Sequence, residues 1–146
     1  MLLLQAKHRH AAHAMFDVAL HQHKGPVSLA RIADRYAISQ SYLEQVFLIL
    51  REANLVQGVK GPGGGYLLKL KREEINLDQI IQAIEAVEMN KKRCREKNPT
   101  QAKQYLVIQS MLDQLKMHTA VFLQKITLQQ LVDQAQAPSF SSNSME

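Results

Sequence analysis

A glycine-rich segment near the middle of the chain has the residue pattern best suited to close contact with a ligand. Lys60 is followed by Gly61, Pro62 and three consecutive glycines, Gly63 to Gly65, with apolar residues on both sides. Glycine loses more conformational entropy on folding than any other residue, so the segment indicates a place where side chains would be in the way. Two interpretations follow: a loop that holds a phosphate, or the tip of a β-hairpin that touches a polymer.

The surrounding sequence favours the hairpin. A phosphate-binding P-loop requires a Lys-Ser or Lys-Thr pair that runs into a helix, and no such pair follows Gly65. A dinucleotide-binding motif requires a third glycine at the position that Tyr66 occupies. The residues from Tyr66 to Leu70 are mainly aromatic and aliphatic, as in a strand. We therefore expect a hairpin whose tip lies close to nucleic acid, with Lys60 contacting a minor groove or a phosphate backbone.

Cys94 is the single cysteine, and it lies between Arg93 and Arg95. Neighbouring cations raise the thiolate fraction of a cysteine, so Cys94 is either a redox-reactive thiolate or a passive surface thiol. One cysteine excludes an intramolecular disulfide and indicates a reducing compartment. No Ser/His/Asp or Cys/His arrangement and no pair of carboxylates stands out, so we do not expect an enzyme.

Three histidines, His8, His10 and His13, fall close together near the N-terminus, and His10 and His13 could share one helix face. Imidazoles bind zinc and nickel. Because no cysteine or acidic ligand accompanies these histidines, we expect no physiological metal site there.

The composition is that of a globular chain with a basic excess. Hydrophobic residues make up 46% of the 146 residues, and the formal net charge is +5. This length suits one core, or one small domain with an appendage. The basic excess is compatible with a nucleic-acid partner. Lys7 soon interrupts the apolar start of the chain, and no apolar run reaches the roughly 20 residues of a membrane span. We expect a cytoplasmic protein that does not bind membranes.

Two short helices are predicted between an N-terminal helix and the hairpin. The N-terminal helix covers residues 11–20 and ends near Gly25, which precedes a proline. Ser28 is a suitable N-cap for the next helix, whose apolar residues recur with helical period up to Tyr36. After a break at residues 37–39, a second amphipathic helix follows, with Leu43, Val46, Phe47 and Leu50 on its inner face. This order predicts a winged helix-turn-helix.

The outer face of that second helix is polar at its N-terminal end. Hydrogen-bonding side chains at this end suit the base edges of a major groove. Ser41 and Glu44 have the spacing of a capping box, so the alternative is a capped helix with a solvated surface, and the two roles are compatible. The residues that we expect to contact DNA here are Ser39, Gln40, Ser41, Tyr42, Glu44 and Gln45.

The C-terminal half is predicted to be helical. Asn76 and Gln79 are a plausible cap for a short helix that ends near Asn90, and an irregular basic stretch should follow. A long helix is expected over about residues 101–125. Thr127 and Gln130 form a further capping box for a last short helix.

Apolar residues on the long helix recur with alternating spacings of three and four. This heptad seam is typical of a coiled-coil partner, which favours a homodimer over packing on the chain's own core. The seam consists of Tyr105, Ile108, Leu112, Leu115, Thr119, Phe122 and Ile126.

Three parts of the chain together resemble the Rrf2 family of bacterial transcription regulators. They are the segment from Ser41 to Gln45, the pair Leu55-Val56, and the wing from Gly61 to Tyr66. The resemblance extends through nearly the whole chain except the tail. It implies a dimeric winged-helix repressor or activator on a partly palindromic promoter site, with the recognition helix in the major groove and the wing in the minor groove. The residues that it adds to the DNA-binding set are Lys7, Arg9, Lys60, Gly61, Pro62 and Gly63.

Cluster-binding members of the family carry three cysteines before the long helix, each separated by five residues, often with a histidine as a further ligand. In this chain the first position is Cys94, whereas Thr100 and Leu106 occupy the others and Gln109 stands at the histidine position. Iron–sulfur clusters require thiolate ligands. The resemblance therefore implies that Cys94 is vestigial and that no cluster or other cofactor is bound.

We predict a mainly α-helical fold with a small β-hairpin. Residues 1–72 form a DNA-binding domain, residues 73–136 a helical sensor-loop and dimerisation region, and residues 137–146 a disordered tail. The predicted function is sequence-specific DNA binding as a homodimeric transcription regulator. Two alternatives remain: an interaction module controlled by a metabolic enzyme, and a thiol redox sensor that acts through Cys94.

Overall fold

The structure, a computed structural model, describes residues 5–93 and 103–138. Within these ranges it is mainly α-helical, with one antiparallel hairpin, as the sequence predicts. Cys94, Thr100 and the predicted tail beyond Pro138 lie outside the described residues. The elements are α1 (Ala6–His21), α2 (Leu29–Tyr36), α3 (Gln40–Glu52), β1 (Val56–Val59), β2 (Gly65–Leu68), α4 (Leu77–Arg93), α5 (Lys103–Gln124) and α6 (Leu128–Gln136).

Helix α1 lies at the centre of the fold and contacts α2, β2, α4 and α6. Three alanines on its buried surface, Ala11, Ala14 and Ala19, take little space and allow neighbours to approach on several sides. The core continues into α4 and α6, so it runs across the predicted boundary at residues 72 and 73. Its largest fully buried side chains include Met15, Ile32, Leu43, Phe47, Leu50, Ile75, Ile80, Ile84 and Leu128.

The helix-turn-helix consists of α2 and α3. The Ser28 side chain accepts a hydrogen bond from the Arg31 backbone N–H, which confirms the predicted N-cap. Ala37 then adopts a left-handed conformation with φ of 53° and ends α2. The predicted Ser41–Glu44 capping box is wrong, because Ser39 caps α3 by accepting from the Tyr42 N–H. Ser41 lies inside α3, so it is not the N-cap, because an N-cap residue has a non-helical backbone.

The hairpin pairs β1 with β2 antiparallel, from Val56 opposite Leu68 to Val59 opposite Gly65. A third segment joins it at Val27, just before α2. The backbone N–H of Val27 donates to Tyr66 O and the Tyr66 N–H donates to Val27 O, each at 2.9 Å. The hairpin is thereby fixed to the start of the helix-turn-helix.

Reciprocal caps define the starts of α4 and α6. The Asn76 N–H donates to the Gln79 side chain at 2.8 Å and the Gln79 N–H donates to Asn76 at 3.0 Å, which confirms the predicted cap. Thr127 and Gln130 form the second predicted capping box. Helix α4 continues to Arg93, three residues beyond the end expected at Asn90.

Among the described helices, none is both long and apolar enough to cross a membrane.

Candidate nucleic-acid interface

The N-terminal end of α3 presents most of the side chains that the sequence assigns to base contact. Its inner residues Leu43, Val46 and Phe47 are buried, and this burial turns the other face outwards. A helix with one anchored face and one exposed polar end is able to enter a major groove. The side chains that are exposed on the outer face are Ser39, Gln40, Ser41, Glu44 and Gln45.

Tyr42 differs from these neighbours because it is half-buried against the N-terminal part of α1. Its ring meets the His10 ring edge to face, with centroids 5.6 Å apart. Burial raises the pKa of Tyr42, Glu88 adds to the rise and Lys7 opposes it. The phenol is therefore a neutral hydrogen-bond donor and acceptor at physiological pH.

The N-terminal cations of α1 have different environments. The Lys7 Nζ atom lies 2.8 Å from a Glu88 carboxylate oxygen on α4, so the lysine charge is partly balanced. Arg9 is exposed. No local pattern in the sequence predicts this contact between α1 and α4, because Lys7 and Glu88 are 81 positions apart.

The wing tip contains two kinds of glycine. Gly61 and Gly63 have φ of 96° and 72°, and a Cβ atom added to either would meet nothing within 4 Å. Gly64 and Gly65 are closely packed: an added Cβ would lie 2.3 Å from Val59 O and 2.3 Å from Val27 O, respectively. Gly61 and Gly63 therefore provide a positive-φ backbone conformation at an open surface, whereas Gly64 and Gly65 permit close packing inside the protein. The sequence did not distinguish these roles.

Lys60 and Pro62 are exposed at this tip. The wing is held against the helix-turn-helix by Tyr66, whose ring lies 4.7 Å from that of Phe47 on α3. Because Phe47 is buried on the inner face of α3, this contact sets the position of the wing relative to the recognition helix.

A buried carboxylate links α1 to α2. Asp17 is fully buried and accepts hydrogen bonds from Arg35 and, at 3.4 Å, from the Tyr36 hydroxyl. His21 Nδ1 lies 3.4 Å from the same carboxylate. Burial raises the pKa of Tyr36, and the negative charge and hydrogen bond of Asp17 raise it further. This network sets the position of α2 on α1, and no local pattern in the sequence indicates it.

Helix α5 projects a large apolar surface. The seam residues Ile108 and Phe122 are 60% and 64% exposed, and Leu112 and Thr119 are partly buried. Among the described residues of α5, Leu123 alone is buried. The exposed apolar surface is broader than the predicted seam, since it also includes Leu106, Val107, Met111, Met117 and Val121.

The residues present do not fit an iron–sulfur cluster at the positions that the family resemblance assigns. Leu106 has no donor atom, and the Gln109 side-chain amide donates to Asp113 at 3.1 Å. Together with Cys94 and Thr100, these residues offer one thiolate. A cluster requires several soft sulfur or imidazole ligands.

The three N-terminal histidines have separate partners. His8 is buried, with its Nε2 atom 3.0 Å from a Glu85 oxygen, while its Nδ1 atom accepts from the Gln5 N–H. The His13 ring packs against the Tyr36 ring at an interplanar angle of 33°, and His10 contacts Tyr42. In residues 5–93 and 103–138 no three side chains of the metal-binding types gather into one group.

Known transcription regulators are similar to this chain in sequence and in fold. The model of the Rrf2 family, described as iron-dependent transcriptional regulators, matches residues 4–134. The chain is 43% identical to the HTH-type transcriptional regulator IscR of Sodalis glossinidius over 129 residues, which are 88% of this chain and 78% of that one. Identity to IscR of Erwinia tasmaniensis is 44% over 131 residues, covering 89% and 78% of the two chains.

Solved structures with the same architecture include T. potens IscR, with a TM-score of 0.75 and 31% identity over 99% of this chain and 96% of that one. CymR, the global cysteine regulator of B. subtilis, aligns with a TM-score of 0.64 and 26% identity over 92% and 98% of the chains.

Proposed function

Because this chain belongs to the Rrf2 family and is a DNA-binding transcription regulator of that type, we propose that it acts as a homodimer on a partly palindromic promoter site, without a bound iron–sulfur cluster. Its relatives are transcriptional regulators and not enzymes, so the chemistry at issue is recognition and not catalysis.

The observation that carries the proposal is the rigid connection between the two exposed surfaces that we assign to DNA contact. The polar end of α3 and the Lys60 tip are joined through the Phe47–Tyr66 contact and the backbone pairing of Val27 with Tyr66. A recognition helix reads base edges, whereas a cationic wing binds backbone or minor groove, so a fixed distance between them selects one docking register.

The exposed surface of α5 supports the homodimer. Large apolar side chains such as Ile108 and Phe122 are more than half exposed, and a single chain leaves them in water. A second α5 helix packed on the seam would remove them from water. Two-fold symmetry would then present two recognition helices to half-sites about one DNA turn apart.

The absence of a cluster is supported by donor chemistry at the family's ligand positions. One thiolate per chain and two per dimer fall short of the usual four protein ligands. Anaerobically purified protein should be colourless and free of iron. Brown protein with stoichiometric iron and visible absorption bands would overturn this part of the proposal.

Two alternative functions have less support. A metabolic enzyme partner gains no support from the described residues, and a thiol sensor depends on Cys94, which lies outside them. If Cys94 regulates the protein, oxidation should change the DNA affinity of the wild type and should leave the DNA affinity of a Cys94→Ser variant unchanged.

The test of the reading surface uses fluorescence anisotropy with a duplex from the gene's own promoter. Lys60→Ala should weaken binding, because it removes a wing-tip charge, whereas Lys125→Ala makes the same charge change outside the winged domain and should have little effect. Glu44→Ala should relax base preference by about 1–3 kcal/mol at one position of each half-site. Glu52→Ala, at the other end of α3, is its control.

If neither Lys60→Ala nor Glu44→Ala alters affinity or base preference while the wild type binds, the assignment of these surfaces is wrong.

A further inference from the structure

A strongly basic pocket lies between the C-terminal end of α1 and the start of α2. It has a volume of about 240 Å³ and is lined by His21, Lys24, Arg31, Arg35 and the backbone around residues 25–27. We call these four side chains and the space between them the basic pocket. None of the four belongs to the DNA-contacting set expected from the sequence.

The charges of the basic pocket are only partly balanced. Arg35 is paired with the buried Asp17 carboxylate and also lies 3.2 Å from His21 Nδ1. Within the described residues, neither the Lys24 ammonium nor the Arg31 guanidinium forms an ion pair. Both side chains belong to exposed residues, and their positive charge therefore remains available to an incoming anion.

The geometry favours a compact oxyanion over an extended ligand. Asp17 holds Arg35 in place, so one guanidinium is already oriented before any ligand arrives. Lys24, Arg31 and Arg35 line the same small volume, and ammonium and guanidinium groups form charge-assisted hydrogen bonds with phosphate oxygens. The pocket also lies at the positive end of the α2 helix dipole, which adds to the same preference.

The position of the basic pocket identifies a source for the phosphate. In a helix-turn-helix the first helix crosses the DNA backbone while the second lies in the groove. Arg31 is in the first turn of α2, the first of these two helices. We propose that the basic pocket binds a phosphate group, and that in the DNA complex this group is a phosphodiester of the backbone beside the recognition helix.

This proposal rests on the proposed DNA binding and adds a contact that carries no base information. Such a contact would fix the register of α2, and α3 would follow because only residues 37–39 join the two helices. The Asp17–Arg35 pair would transmit that position to α1.

The experiment compares Lys24→Gln and Arg31→Gln with Lys69→Gln, which makes the same charge change at a lysine already bonded to Asn54. Affinity is measured by anisotropy on the promoter duplex and on a scrambled duplex of equal length, over a series of salt concentrations. Each pocket variant should bind both duplexes about 3- to 10-fold more weakly. The slope of log K against log salt should become shallower by about 0.9 for each phosphate that the variant no longer neutralises, or about 1.8 for a dimer.

A second arm titrates inorganic phosphate into the wild-type chain without DNA and follows backbone amide shifts by NMR. Amide shifts at residues 21–35 together with unchanged DNA binding by the variants would keep the phosphate site and overturn the DNA backbone as its source. No amide shifts and no loss of DNA affinity would overturn the whole proposal.

The two proposals fail in different ways. Wild-type protein that binds neither duplex would refute the DNA-binding function, and the NMR arm would still decide whether the basic pocket takes phosphate. If Lys69→Gln has the same affinity and salt slope as the pocket variants, the loss of affinity is due to net charge alone, and the site is refuted.

Discussion

Replacing Gly65 by alanine should destabilise the protein through a backbone collision. An ideal Cβ at this position would lie 2.3 Å from Val27 O, 2.5 Å from Val27 C and 2.8 Å from Ser28 N. All three are main-chain atoms and cannot rotate away. Relief of the overlap requires β2 to move from Val27, which breaks the pair of 2.9 Å hydrogen bonds between Val27 and Tyr66.

The expected loss follows from these two terms. Two net hydrogen bonds contribute about 2 kcal/mol, and overpacking adds about 1–3 kcal/mol, so the free energy of unfolding should fall by about 3–5 kcal/mol. A small domain has about 5–15 kcal/mol in total, so the variant should fold with a clearly lowered transition. Urea denaturation followed by circular dichroism at 25 °C measures the difference.

Two further glycines of the same hairpin serve as matched controls. A Cβ at Gly58 would meet only Tyr66 Cε1, at 3.7 Å, an ordinary contact, so Gly58→Ala should be neutral or slightly stabilising. Gly61 faces open space with φ of 96°, so Gly61→Ala should lose about 1–2 kcal/mol through backbone strain alone. A Gly65→Ala variant no less stable than Gly58→Ala would refute the packing role of Gly65.

Three other predictions concern the buried Asp17–Arg35 pair, the proposed dimer and stability at alkaline pH. Asp17→Asn breaks the buried pair with Arg35, which should lower the free energy of unfolding by about 3 kcal/mol and reduce the thermal midpoint; an unchanged midpoint would show that the pair is not needed. Phe122→Glu places a charge in the α5 seam and should convert the proposed dimer to a monomer in sedimentation equilibrium. Ser110→Glu, exposed on another face of α5, should not do so. Equal masses for the two variants would contradict the proposed seam. Because burial and then Asp17 raise the folded pKa of Tyr36 above the unfolded value of 10.0, the folded state retains this proton longer, and stability should fall as pH rises above 10. Tyr36→Phe should make that alkaline decline shallower, and an identical decline in both proteins would exclude the effect.

Local sequence signals predicted most of the elements correctly. Ser28, Asn76 and Thr127 were identified as caps because a cap depends on side chains within three residues of the helix start. The break at residues 37–39 before α3 was predicted correctly, and only the capping box proposed at Ser41 was wrong, because Ser39 and Ser41 are equally good caps by type. The choice between them depends on the left-handed Ala37 and on the burial of Leu43, which involve the rest of the core.

The candidate interface was predictable only in part. Its exposed surfaces depend on residues that are close in the sequence, whereas the contacts that hold those surfaces in place join residues that are distant in the sequence. The exposed end of α3 follows from helical period, and the Lys60 tip follows from glycine content. The pairs Lys7–Glu88 and Asp17–Arg35 join residues 81 and 18 positions apart, and nothing in either local segment indicates the partner. The basic pocket has the same origin, since its cations come from both sides of a turn.

By itself the sequence determined that a segment of backbone near Lys60 had to be free of side chains, that two amphipathic helices preceded it, and that a long apolar seam followed. Each of these properties depends on neighbours within about one turn of helix or one hairpin. Only the tertiary structure decided what the glycines do: Gly61 and Gly63 adopt positive φ at an open tip, whereas Gly64 and Gly65 admit close contact with Val59 and Val27. The role of Gly65 depends on Val27, which is remote in the sequence and pairs with Tyr66 of the hairpin, and a distance between remote segments is defined only once the chain has folded.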